Sequence, residues 1–161
     1  MKIEMGKLFR KGKEITIMKY DPKLEVNYYN FIDKYHRLGF RQIILTSEIM
    51  IELANHYFLT KYFNVTKIVF METDDELNDE ISYLLRMIQK DRAYWGKLIE
   101  RLSFLSNDES IDIERIELIG KDNEQNNVRM FYQVNGIFGI NDNSFSKESK
   151  AIIPIITKKL L

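Results

Sequence analysis

The sequence contains no cysteine among its 161 residues. Disulfide bonds, thiolate metal sites and a cysteine nucleophile are therefore excluded, and the composition fits a reducing compartment. Glycine and proline are scarce, with 7 and 2 residues, and no glycine-rich phosphate loop or serine elbow occurs. The longest uncharged apolar run near the C-terminus, AIIPII, is too short to cross a bilayer. We therefore expect a cytoplasmic protein without a membrane span and without a cofactor.

A net charge is also missing, because 24 basic residues balance 24 acidic residues. No overall field is available to attract DNA, RNA or an anionic membrane. We therefore expect neither nucleic acid nor a membrane as the partner. The length suits one domain, residues 1–161, that buries about 70% of the surface its unfolded chain would expose. A core of that size needs no disulfide or metal ion for stability.

Two β-hairpins are indicated by runs of β-forming residues on both sides of a turn. The first joins residues 2–9 to residues 14–20 through RKGK, where Gly12 supplies the turn conformation. The second joins residues 111–120 to residues 127–135 across KDNEQNN. Its second strand alternates apolar and polar residues, so we expect one of its faces to be buried.

Three main helices are predicted. Asp21 and Pro22 begin the first, which stops before Gly39, and Thr46 or Ser47 caps the second. The strands FRQIIL and VTKIVFM on either side of the second helix predict a parallel, right-handed crossover. The C-terminal segment is predicted to form a short helix. The fold class is therefore α+β: a mixed β-sheet with one βαβ crossover unit and flanking hairpins, packed against three main helices, the third long.

The third predicted helix runs from about residue 74 to residue 105. Its apolar residues repeat in alternating steps of four and three, which is the pattern of a coiled-coil-like seam. The seam consists of Leu77, Ile81, Leu84, Ile88, Asp91, Trp95, Leu98, Leu102 and Leu105. About 30 residues at 1.5 Å each reach about 45 Å, which is more than a small sheet covers. We therefore predict that the seam from Leu77 to Leu102 binds a partner helix or a second copy of the chain; the alternative is packing inside its own domain.

The acidic run METDDEL, residues 71–77, precedes this helix directly. Thr73 and Glu76 have the spacing of a capping box, in which each residue accepts a backbone N–H of the other. Asp74 and Asp75 then fall in the first helical turn, where the helix dipole favours negative charge. The run is therefore interpreted as the start of a helix, and we assign no metal ligand.

The same carboxylates allow an alternative function. Residues 74–76 together with a distant acid such as Asp112 or Glu114 would suit a metal-dependent phosphodiester hydrolase. We rank this hypothesis second because adjacent carboxylates radiate around a helix and do not converge on one ion.

Basic residues cluster at the turn of the first hairpin. Arg10, Lys11 and Lys13 surround Gly12, with Lys7 nearby. They are candidate phosphate contacts of a nucleic-acid-binding protein that would act through residues 7–13. Exposed turns are commonly lysine-rich for solubility alone, and one small patch on a neutral protein rarely supports tight binding.

The leading functional hypothesis is a non-catalytic protein-binding, regulatory or inhibitory accessory protein. The two histidines, His36 and His56, fall at polar helical positions, and we assign no catalytic residue. The extent of the seam favours a protein partner or a homodimer. The size and composition suit a protein of a phage or a mobile element.

Overall fold

The computed structural model describes residues 2–24 and 27–160. Its strands are β1 (Ile3–Lys11), β2 (Glu14–Tyr20), β3 (Arg41–Gln42), β4 (Asn64–Phe70), β5 (Ile113–Lys121), β6 (Asn127–Gln133) and β7 (Ile137–Asn141). Its helices are α1 (Tyr28–Arg37), α2 (Ser47–Lys61), α3 (Asp75–Lys90), α4 (Tyr94–Asp108) and α5 (Asp142–Leu160). The α+β class predicted from the sequence is confirmed.

The strands form an antiparallel sheet in the order β2-β1-β7-β6-β5-β4, and β3 pairs with β1. β1–β2 and β5–β6 are the two hairpins that the sequence predicts. The prediction of a mixed sheet with a parallel crossover is corrected, because every strand pairing in the described ranges is antiparallel. β3 lies beside Phe9 and Arg10, whereas β4 lies at the far edge beside β5. The crossover rule applies to parallel strands of one sheet. β3 and β4 belong to the same sheet, but the successive antiparallel pairings make them run in opposite directions.

Four helices cover one side of the sheet, which we call the inner face. α2 packs against β5, α4 and α5, and it is buried around most of its circumference. Its buried Met50 and Leu53 share a core with Leu118, Phe138 and Ile140 of the sheet. This burial stabilises the fold by about 25 cal/mol for each Å² of apolar surface removed from water.

α1 covers the opposite side, the outer face, at the β1–β2 end. Phe9 points to this side and lies between Phe31 and Tyr35 of α1, with ring centroids 6.0 and 5.2 Å away. These aromatic residues form a second cluster with Ile32. The sheet is therefore covered on both faces near β1 and β2.

The start of α1 differs from the prediction. Asn27 caps the helix, and its Oδ1 accepts the Tyr29 N–H at 2.9 Å. Asp21 instead accepts the Lys23 N–H at 2.9 Å within a turn. Residues 25 and 26, which the predicted helix includes, lie outside the described residues.

The predicted third helix is two helices, α3 and α4. Asp91 leaves the helical conformation at φ −150° and ψ 110°, and its Oδ1 accepts the Ala93 N–H at 3.0 Å. Arg101 of α4 pairs with Glu80 of α3 at 2.6 Å, so α4 folds back antiparallel to α3. Such local side-chain hydrogen bonds of aspartate compete with the helical backbone pattern.

The C-terminal segment forms α5, whose 19 residues make it longer than the short helix predicted there. It lies on the inner face through Phe145, Ile152 and Ile156. Among residues 2–24 and 27–160, no helix combines the length and the apolar character of a membrane span.

Candidate functional site

The outer face is open over β5 and β6. Alternation along the strands places Leu118 and Met130 in the inner core, so their neighbours in sequence point outward. The outward residues include Arg115, Glu117 and Ile119 of β5 and Arg129 and Phe131 of β6, with Ile3 of β1 beside them. We call these six residues the outer patch. None of them belongs to either apolar cluster of the described chain.

Arg115 and Phe131 form the centre of the outer patch. The Arg115 Cζ lies 3.8 Å from the centroid of the Phe131 ring, which is the geometry of a cation–π contact. Phe131 extends over Gly139 on the neighbouring strand, where a Cβ atom would collide with the ring. Arg115 thus lies against the ring, and Gly139 leaves room for the ring to lie close to the sheet.

The Arg115 guanidinium is held by two further contacts. Its Nη1 donates to Gln133 Oε1 at 3.0 Å, and its Nε lies 3.3 Å from Glu117 Oε2. The Nε is buried, yet it makes no hydrogen bond within the described chain. The side chain is about one-third exposed. These contacts hold the planar group in one position. The exposed part of the guanidinium, and not the buried Nε, can donate to a carboxylate or carbonyl oxygen of a partner.

A depression of about 1250 Å³ begins at the outer patch, continues past the β5–β6 loop and reaches Lys61 and Glu148. Glu148 is 1% exposed; it accepts the Tyr57 hydroxyl at 3.2 Å and lies 3.5 Å from Lys61 Nζ. Burial and the nearby Glu148 carboxylate raise the pKa of Tyr57, so Tyr57 remains a hydrogen-bond donor. This cluster joins α2 to α5 and leaves its groups paired.

The predicted seam lies inside the fold. Its buried members are Leu77, Ile81, Ile88, Trp95, Leu98, Leu102 and Leu105. Leu84 is partly buried against the same core, and Asp91 is exposed at the break between α3 and α4. The apolar side chains therefore pack against the rest of this chain, and the stripe is not available as one continuous surface.

The basic turn residues Arg10, Lys11 and Lys13 are exposed, as the sequence predicts for a turn, and Gly12 has φ +62°. Arg41 of β3 lies directly opposite Arg10, and like charges in that position are destabilising. No salt bridge of these cations is present in the described ranges.

Lys7 does not belong to the basic turn, because it is fully buried. Its Nζ contacts the Asn135 carbonyl oxygen and lies 3.5 Å from the Ile43 carbonyl oxygen. Burial lowers the pKa of Lys7 to about 8.

The acidic run begins α3, but the capping residue is corrected from Thr73 to Asp74. Asp74 Oδ1 accepts the Leu77 N–H at 3.0 Å. Asp75 and Glu76 lie in the first turn of α3. Aspartate is preferred over threonine at the N-cap, which agrees with Asp74, and not Thr73, capping α3.

The carboxylate of Asp112 does not join this run. Its Oδ1 accepts the hydroxyls of Ser47 at 2.9 Å and Ser106 at 3.1 Å. Within the part of the chain that the structure describes, no group of three or more His, Asp or Glu residues is arranged to hold a metal ion.

The outer patch is not among the sites predicted from the sequence, although the alternation of residues in β6 contains a pattern that indicates it. The alternation of β6 that buries Val128, Met130 and Tyr132 also turns Arg129 and Phe131 outward. An aromatic residue in the polar register of a strand is the feature that would have identified the patch. No family model, curated protein or solved structure matches the chain.

Proposed function

We propose that this chain is a non-catalytic regulatory or inhibitory protein that binds a protein partner through the outer patch. The observation that carries the proposal is the Arg115 guanidinium, held over Phe131 on a part of the sheet that no described helix covers. Buried arginine and aromatic side chains dominate the binding energy of protein interfaces. The patch supplies both at its centre.

The composition of the outer patch favours a protein over a small molecule. Ile3, Ile119 and Phe131 supply apolar surface, and Arg115, Arg129 and Glu117 supply charges around it. This mixture of apolar residues with arginine is typical of protein interfaces. The depression is only partly enclosed, whereas a typical small-molecule site buries most of its ligand.

The ring of Phe131 is less suited to nucleic acid. Single-stranded nucleic acid is bound by aromatic rings on which bases stack. Arg115 already occupies one side of this ring, so the patch presents a guanidinium and not a free aromatic surface. The group that matches it is a side-chain carboxylate or a backbone carbonyl oxygen of a partner.

The order of the guanidinium lowers the cost of binding. An arginine side chain loses conformational freedom when it is immobilised in an interface. Arg115 has already lost much of that freedom through its contacts with Phe131, Gln133 and Glu117. A partner's carboxylate can therefore bind Arg115 with a smaller loss of side-chain conformational entropy.

Affinity capture from the native host with quantitative mass spectrometry tests the proposal. Arg115→Ala and Ile119→Asp are the test variants. Arg86→Ala on α3 and Leu59→Asp on α2 are matched controls, because both residues are exposed away from the outer patch. We expect one stoichiometric protein to be captured by the wild type and both controls and lost by more than about tenfold in both test variants.

Thermal unfolding of all four variants shows whether a loss of binding reflects a loss of folding. A partner that is captured equally by the test variants would refute the role of the outer patch. Recovery of nucleic acid that depends on Arg10, Lys11 and Lys13, in place of a protein, would transfer the function to the basic turn.

A further inference from the structure

The two edges of the sheet are built differently. At one edge, β4 pairs with β5 with shifts in register between Val65 and Lys67 and between Val69 and Phe70. Such irregularities protect an edge strand against pairing with another chain. At the other edge, β2 pairs with β1 over seven consecutive positions without a shift. β2 contains neither a register shift nor a proline, and the charged residues on it are Glu14 and Lys19.

The hydrogen bonds of β1 show which groups of β2 face the open edge. Leu8 directs its N–H to the Gly136 carbonyl and its carbonyl to the Ile43 N–H, so it does not bond to its β2 partner, Ile17. Bonded and non-bonded pairs alternate in an antiparallel ladder. Ile15, Ile17 and Lys19 therefore direct their N–H and carbonyl groups outward, where no described strand pairs with them.

We propose that this edge binds the β2 edge of a second copy of the chain, antiparallel and around a twofold axis at Ile17. In that register Ile17 lies opposite Ile17 of the second copy, and Ile15 lies opposite Lys19. All three outward-facing residues are then used. Each opposed pair exchanges two hydrogen bonds, giving about six in total. The inner faces of both copies remain on the same side of one continuous sheet.

Charge complementarity supports a second copy as the occupant. Continued by one residue past each end of β2, the same register places Lys13 of each copy opposite Asp21 of the other. Both residues are exposed, and neither takes part in a salt bridge within the described chain. A closed twofold contact uses one edge from each copy. This agrees with the sheet, in which the β2 edge has no register shift and the β4 edge has two. This assembly does not involve the outer patch and is independent of the proposed function.

Hydrogen exchange at low and high protein concentration tests the register residue by residue. We expect the amides of Ile15, Ile17 and Lys19 to become protected as the concentration rises. The amides of Thr16 and Met18 bond to β1 and should be protected at every concentration. Equal behaviour of the two sets, or a wild-type protein that sediments as a monomer at high micromolar concentration, would refute the dimer.

A pair of variants at Lys19 separates the edge from the overall fold. Lys19→Pro removes one outward N–H and should raise the dimer dissociation constant by more than about tenfold. Lys19→Thr keeps the N–H, although like Lys19→Pro it loses the exposed contact with Glu4. It should change the dimer dissociation constant by less than about threefold.

The charge pair tests the register independently of any proline effect. Lys13→Glu and Asp21→Lys should each weaken the dimer, and the double variant should recover most of the loss because the opposite charges face each other again. No recovery in the double variant would contradict the proposed register.

Discussion

At the scale of single residues, the burial of Lys7 differs from the exposure that the neighbouring basic residues predict for it. The sequence places it beside the basic turn, yet Lys7 is 0% exposed and contacts the carbonyl oxygens of Asn135 and Ile43. These acceptors belong to loops that are distant in sequence. Such a buried environment depends on tertiary packing, so local composition does not predict it.

The burial of Lys7 predicts a dependence of stability on pH. Its pKa is lowered from 10.5 to about 8, so between these values the unfolded chain binds more protons than the folded chain. Stability therefore rises with pH in this window and is lower below pH 8. We expect the unfolding free energy of the wild type, relative to Lys7→Met, to increase by about 2 kcal/mol from pH 7 to pH 10. Urea unfolding at several pH values measures it, and a constant difference would contradict the burial of a titrating lysine.

At the scale of elements, the sevenfold pattern identified the buried positions of α3 and α4 but not the break between them. A heptad pattern records which side chains face a core, and it continues in phase through the three residues that separate the helices. The break depends on Asp91, which forms a hydrogen bond with Ala93 N–H, and on Arg92, which donates to the Phe58 carbonyl at 3.0 Å. The second contact comes from α2, so its effect is not visible in the local sequence.

The start of α3 supplies a matched pair of variants. Asp74→Ala removes the side chain that accepts the Leu77 N–H and should lower the free energy of unfolding by about 1 kcal/mol. Thr73→Ala removes an exposed side chain one position earlier and should change it by less than about 0.5 kcal/mol. Urea unfolding of both variants measures the difference. The opposite order would restore the capping box of Thr73 and Glu76 that the sequence suggested.

At the scale of the whole molecule, the sequence predicts the two hairpins correctly but does not predict the order of the strands in the sheet. The hairpins β1–β2 and β5–β6 depend on contacts between neighbouring segments, and both occur. The position of β3 depends on a two-residue pairing with β1 across about 30 residues of chain. The outer patch has a similar origin, because Phe131 is opposed by Gly139 and flanked by Arg115, and only the strand order brings the three together.

Among the described residues, the strand order also gives two apolar cores of unequal size, one on each face of the sheet. The inner core involves four helices, whereas the outer cluster involves α1 and a few residues around Phe9. Elements with few buried apolar contacts open more easily than the rest of a fold. α1 should therefore unfold locally before the inner core does.

Phe31→Ala tests this order, with Phe58→Ala as a control of the same chemistry in the inner core. Both side chains are buried, and such a change typically costs about 3–5 kcal/mol. We expect Phe31→Ala to abolish hydrogen-exchange protection in α1 while α2 and α4 stay protected, and Phe58→Ala to lower protection throughout the inner core. Because five of the six residues of the outer patch lie on β5 and β6, away from α1, the Phe31 variant should also retain the partner captured by the wild type. If protection in α2 fell as far as in α1, the two faces would form one cooperative unit, and α1 would be as integral to the fold as the inner helices.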